Sequence, residues 1–184
     1  MPTIYLRWIG AKYMEPGLLE WLTFCVGRAF GVPVRTLDRA EGPADAFDPA
    51  RGQFSSTQIL RWTLAHHPED ALKVLSLTDG DLFIPVLTFV FGEAQVGGPA
   101  AVVSTARLRR TFDDRPASPT QVEARLTKEC LHELGHTFGL VHCAEGTCVM
   151  SRSNSVLDVD QKRAALCRDC RQRLEDLMEE RNRS

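Results

Sequence analysis

The sequence predicts an α/β domain, and three observations carry that expectation. Short β-rich runs alternate with helical apolar patterns along most of the chain. A length of 184 residues suits a single domain. Apolar residues make up 43% and charged residues 25%, enough for a core beneath an ordinary polar surface. Neither an internal repeat nor an interdomain linker is visible, so residues 1–184 read as one domain.

Taken in order, residues 3–9 predict a first strand. Leu18, Leu19, Leu22, Cys25, Val26 and Phe30 recur at i, i+3 and i+4 spacing and predict an amphipathic helix over 16–30. Pro16 suits its first position and Gly31 its stop. Cys25 is a thiol on the apolar face. Residues 32–37 predict a second strand, and the Ala-, Asp-, Gly- and Pro-rich stretch 39–52 a loop. A second helix is expected over 54–66, capped by Ser55 or Ser56, with His66 and His67 at its negative end. Residues 71–77 predict a strand closed by the turn Thr78-Asp79-Gly80-Asp81, too poor in oxygen ligands for a calcium loop. Residues 87–93 and 101–108 predict two more strands, able to pair antiparallel across a Gly-Gly-Pro loop or to bracket a longer connection.

Ser118-Pro119-Thr120-Gln121 then opens a long helix, with Ser as cap, Pro first and Gln at the capping-box position. Val122, Leu126, Leu131, Leu134 and Phe138 follow at helical spacing, and Gly139 supplies the stop. A last helix is expected from a cap at Asp158, broken near the Cys-x-x-Cys and running on through Leu174 and Leu177, with 179–184 solvated and frayed.

Chemistry concentrates between His132 and Met150. On a helix, His132 and His136 sit one turn apart on one face, where two imidazoles can hold one metal ion. His142 follows the Gly139 turn as a third nitrogen ligand. Three nitrogens leave a fourth zinc position for water, and zinc lowers the pKa of such a water and polarises a carbonyl. Glu133 lies about 100° round the helix from His132, placed to take the water's proton and deliver it to a leaving amine. The expected reaction is hydrolysis of an amide. A zinc site that only holds a fold would not need Glu133 and would close all four positions with protein ligands.

Cys143, Cys148, Cys167 and Cys170 form C-x4-C and C-x2-C pairs, the spacing of a closed structural zinc site. Two zinc ions per chain are therefore expected. Because Cys143 adjoins His142, the cysteine site should help to orient the third histidine. Cys130 lies two residues before His132 and is expected in the core. The N-terminus shows no basic segment followed by an apolar one, and no apolar run approaches the roughly 18 residues of a membrane span. A cytoplasmic location is expected, where clustered cysteines serve metals rather than disulfides. A net charge of −2 argues against a nucleic-acid or membrane partner. The basic residues Lys162, Arg163, Arg168, Arg171 and Arg173 are offset by Asp169, Glu175, Asp176, Glu179 and Glu180.

The extended pattern H-E-x-x-H-x-x-G-x-x-H followed by a methionine resembles that of the metzincin metallopeptidases. The further C-x4-C-x-M and C-x-x-C, with F-V-F-G-E-A at 89–94 and S-T-A-R-L at 104–108, resemble the archaemetzincins. The resemblance implies a mixed sheet whose antiparallel edge strand lines a cleft, with Phe89, Val90, Phe91, Gly92, Glu93 and Ala94 as that strand. An extended peptide can add to such an edge. It also implies a subdomain division near residue 139, with 1–139 above the cleft and 140–184 below. Met150 would form an apolar floor beneath the catalytic zinc without ligating it. The implied activity is a zinc metallopeptidase, aminopeptidase-like, acting on peptides or proteins as a monomer. The competing reading is a zinc-stabilised module that binds peptides with little or no turnover, against which the intact Glu133 argues.

Overall fold

A computed structural model describes residues 2–12 and 14–183. Its elements are β1 (Thr3–Trp8), α1 (Leu18–Phe30), β2 (Val34–Leu37), a 3-10 turn (Ala44–Ala46), β3 (Phe47–Asp48), β4 (Gln53–Ser55), α2 (Ser56–Ala65), β5 (Ala71–Thr78), β6 (Leu82–Phe83), β7 (Gly92–Ala94), β8 (Ala100–Ser104), α3 (Pro119–Thr137), α4 (Val156–Gln161) and α5 (Arg168–Arg183). The main sheet runs β2-β1-β5-β8-β7, with four parallel strands and β7 antiparallel at the edge. A small sheet, β3-β4-β6, lies beside it.

Both faces of the main sheet are covered, which is why β8 is buried throughout. The period-2 alternation sorts its side chains. Ala101 and Val103 join the core shared by α1 and α3, while Ala100 and Val102 face Ile59 and Leu60 of α2. The same alternation governs the edge strand. Gly92 pairs with Val103 and Ala94 with Ala101, so both face α3; Glu93 pairs with Val102 and faces α2. There the Glu93 carboxylate accepts hydrogen bonds from Ser56 and Thr57, in the first turn of α2.

Several sequence expectations shift. Gly17 takes φ 82° as the cap of α1, so the helix starts at Leu18 and Pro16 precedes it. The strand expected over 87–93 forms only from Gly92. Pro85 to Thr88 turn, and Val90 makes a single antiparallel bridge to Leu82. The loop expected over 39–52 contains the short strand β3. Ser155, not Asp158, caps α4; Asp158 is its capping-box partner and accepts from the Ser155 amide at 2.9 Å. The stretch expected to fray stays helical to Arg183, with an Arg183–Glu179 pair one turn apart; Ser184 lies outside the described residues.

Other expectations hold. Ser55 caps α2, and Ser118 with Gln121 forms the capping box of α3. Cys130 is fully buried, while Cys25 is half-buried. His66 and His67 each place Nδ1 on an α2 carbonyl. Asp79 accepts from the Ala11 and Lys12 amides and Asp81 from Arg107 and Gln53, so the turn's carboxylates hold protein groups. Among the described residues, no helix is long and apolar enough to cross a membrane.

Candidate metal centre and cleft

The last turns of α3 carry His132, Glu133 and His136, and a left-handed Gly139 (φ 100°) turns the chain towards His142. His132 Nδ1 lies 2.8 Å from the Val149 carbonyl, and His136 Nδ1 lies 2.8 Å from the Leu140 carbonyl. A carbonyl only accepts, so each Nδ1 carries the proton and each Nε2 presents a lone pair. The two Nε2 atoms lie 3.1 Å apart. Two lone pairs at that separation repel unless a cation lies between them. Metal–nitrogen bonds of about 2.0–2.1 Å at a tetrahedral angle require roughly this spacing. One nitrogen from each of His132, His136 and His142 falls within 4.8 Å of the others. This donor set fits zinc.

The second cluster fits it too. Cys143, Cys148, Cys167 and Cys170 place their sulfurs within 4.8 Å of one another, all as free thiols. The Cys143 and Cys167 sulfurs lie 3.8 Å apart, the edge of a tetrahedron with metal–sulfur bonds of about 2.3 Å. Backbone amides of Glu145, Cys167 and Cys170 donate to the sulfurs of Cys143, Cys148 and Cys167 respectively, the support that thiolates need. The Cys170 amide holds the Cys167 thiol below its ordinary pKa, while burial pushes Cys148 up. The Cys143 amide donates to the Met150 carbonyl at 3.0 Å, binding the cysteine loop to the segment below the histidines.

Glu133 is 6% exposed and has no hydrogen-bond partner among the described residues. Burial, reinforced by Glu129 and Glu93, pushes its carboxyl well above the ordinary range. Burial likewise pushes His132 well below the ordinary histidine pKa and lowers His136; His142 is lowered less deeply in the fold, by burial with the charges of His136, Arg152 and Lys162. Two glycines make room. A Cβ at Gly92 would stand 2.7 Å from Glu133 Cγ, so the edge strand reaches Glu133 only as glycine. A Cβ at Gly135 would stand 2.5 Å from Met150 Sδ; Met150 is fully buried against this face of α3.

The cleft beside Glu133 encloses about 450 Å³. All of Phe89 to Gly92 line it, with His132, His142 and the 152–154 segment. Of the six residues expected as an edge strand, only Gly92, Glu93 and Ala94 are strand, and Phe89, Val90 and Phe91 reach the cleft as extended loop.

Sequence reasoning missed four residues here. Glu129 sits one turn before Glu133, buried, its side chain 3% exposed. The fully buried Lys162 reaches to 3.5 Å from Glu129 Oε1 and 3.5 Å from His132 Nδ1. Burial raises the Glu129 carboxyl and Lys162 partly offsets that. Glu129 was legible from its i, i+4 relation to Glu133. Lys162 falls in a charge-balanced stretch of the sequence, and nothing local marks it as buried. Arg152 and Lys73 were the other two. Lys73, on β5, donates to the Thr137 carbonyl at 2.6 Å, and the Gly97 amide donates to the His136 carbonyl at 2.9 Å. The end of α3 is thus fastened to the sheet and to the loop after β7.

This α/β/α sheet with an antiparallel edge, a histidine-bearing helix and adjoining nitrogen and sulfur donor clusters is that of a zinc metallopeptidase. Residues 28–176 match the model of peptidase family M54. The archaemetzincin of Methanocaldococcus jannaschii is 40% identical over 86% of each chain. The solved archaemetzincin of Methanopyrus kandleri superposes with a TM-score of 0.86 at 37% identity, covering 97% of this chain and 96% of the other. That of Archaeoglobus fulgidus, solved with malonate, gives a TM-score of 0.79 at 34% identity over 92% and 98%. The chain belongs to peptidase family M54, the archaemetzincins, and its substrates are peptides or proteins.

Proposed function

We propose that this metallopeptidase works with two zinc ions per chain in different roles. His132, His136 and His142 would hold the catalytic ion; Cys143, Cys148, Cys167 and Cys170 would hold a structural one. The observation that carries the reading is the pair of Nε2 lone pairs 3.1 Å apart on the helix turn that carries Glu133, which is buried and has no hydrogen-bond partner among the described residues. Zinc bound there would polarise the scissile carbonyl and acidify a water in the cleft. Glu133 takes the proton from the attacking water and passes it to the leaving amine, a role suited to a carboxyl whose pKa burial has raised. The peptide lies along Gly92 to Ala94 and the preceding Phe89 to Phe91, bonding to free backbone groups of the sheet edge. Met150 packs beneath the histidines as an apolar floor. Residues 1–139 supply the sheet and the histidine helix, and 140–184 supply the floor and the cysteine site. Both proposed ligand sets are complete within one chain, so neither site needs a second copy, and the protein would act as a monomer. The grouping of four cysteines as metal ligands supports a cytoplasmic setting.

Metal analysis of the purified protein should find about two zinc per chain. Glu133→Gln should retain both and lose peptide hydrolysis by roughly 10²–10⁴-fold, the contribution of a general base. Hydrolysis at the wild-type rate would sink the mechanism. Digestion of a diverse peptide mixture, with free and acetylated N-termini compared, tests an aminopeptidase-like preference.

A further inference from the structure

Three cations line the cleft and its continuation past Phe89 and Phe91, namely Arg107, Arg110 and Arg152, and Lys162 is buried behind them. All but Arg152 are neutralised by the protein. Lys162 faces Glu129, Arg110 lies 3.7 Å from Asp114, and Arg107 forks onto Asp81 at 2.9 Å through two nitrogens while stacking on Phe89. Arg152 lines the cleft beside His142 and Asn154, is exposed, and has no carboxylate or hydrogen-bond partner among the described residues. Nor does it hang on a loose loop. Ser151, its neighbour, is buried; its amide donates to the Cys148 carbonyl at 2.9 Å and its hydroxyl to the Gly146 carbonyl at 3.0 Å. The cysteine-bound segment thus holds an unpaired guanidinium at the mouth of the reaction site. A guanidinium presents a planar donor fork matched to a carboxylate.

We propose that Arg152 is a specificity residue, selecting peptides with a carboxylate next to the cleaved bond. This rests on the metallopeptidase reading above, with the peptide in this cleft. The carboxylate is either an acidic side chain or the chain's own C-terminus; Arg152 meets both with the same bonds. Because its charge is solvated, the selectivity weakens as salt rises.

The test uses the zinc-loaded full chain and three matched peptides differing near the bond mapped as the cleavage site. One carries Glu with an amidated C-terminus, one Gln with a free C-terminus, and one Gln with an amidated end. Expected is a kcat/KM about 10- to 100-fold higher for one or both carboxylate peptides than for the neutral one, the scale of a charge-assisted hydrogen bond. Which of the two gains identifies the source. Arg152→Gln should collapse the ratio towards one, and Arg152→Glu should bring it below one, against the carboxylate peptides, with zinc content unchanged. A ratio near one in the wild type, or one that survives Arg152→Gln, overturns the proposal. A parallel arm measures equilibrium binding of the same peptides to Glu133→Gln and to Glu133→Gln with Arg152→Gln. Arg152-dependent binding of carboxylate peptides without wild-type hydrolysis would uphold the selectivity and sink the peptidase mechanism. Equal binding by both variants would overturn the selectivity whatever the hydrolysis shows.

Discussion

The histidine and cysteine clusters are neighbours in the chain, joined at the His142–Cys143 bond, yet they are built differently. The histidines come mainly from one long helix, each α3 imidazole is fixed by a carbonyl behind it, and the front opens onto a cleft of about 450 Å³. The cysteines come from two loop segments and the start of α5, with backbone amides filling the space around the sulfurs. One cluster leaves a side free and surrounds it with groups held away from their ordinary ionisation; the other is closed by its own chain. Burial that costs stability is concentrated at the open cluster, where Glu133 and Glu129 are both pushed up. At the closed cluster the metal itself would supply folding energy.

The contrast can be broken from the closed side first. Cys167→Ser with Cys170→Ser should release the proposed structural metal and loosen the 143–150 segment, which the Cys143 amide binds to Met150. Loss of a structural site costs several kcal/mol, on the order of the whole stability of a small domain. Because His142 adjoins that segment, zinc at the histidines should also bind more weakly. Competitive chelation measures this, and unchanged affinity for the catalytic zinc would refute the coupling.

Next comes the buried pair behind the open cluster. Lys162→Met leaves Glu129 without its partner and should destabilise the protein by about 3–5 kcal/mol. Adding Glu129→Leu should recover most of that loss in denaturant titrations; a double variant as unstable as the single would show that the pair is not what Lys162 stabilises. A smaller effect is expected at the floor. Gly135→Ala drives a methyl into Met150 and should cost about 1–3 kcal/mol. Pairing it with Met150→Ala should relieve part of the clash in thermal melts.

The smallest effect is a pH dependence. Burial pushes Lys73 down to about 8, below its unfolded value of about 10.4. Between those values the unfolded chain binds more protons, so the Lys73 contribution to stability rises with pH across that window and is lowest below it. Lys73→Met removes the titrating group. The stability difference between wild type and variant should therefore grow in favour of wild type from about pH 8 to pH 10, and a flat difference would place the Lys73 shift elsewhere.

The sequence by itself determined which residues are candidates to bear the chemistry, and the structure brings the histidines together and the cysteines together. The i, i+4 histidines, the Glu between them and the paired cysteines announce themselves through spacing, because a helix and a metal ion each impose a fixed geometry on few residues. The capping box at Ser118 and Gln121 was legible for the same local reason. Only the tertiary structure decided the rest. Whether 87–93 forms a strand depends on which partner edge it meets, and β8 accepts it only from Gly92. Whether Lys162 lies on the surface or under His132 depends on where α4 packs against α3, which Arg125, 2% exposed, fixes by forking onto Asp160 at 2.6 and 2.7 Å. Gly92, Gly135 and Arg152 acquire meaning only from atoms far away in sequence, since close approach and charge pairing are properties of neighbours in space.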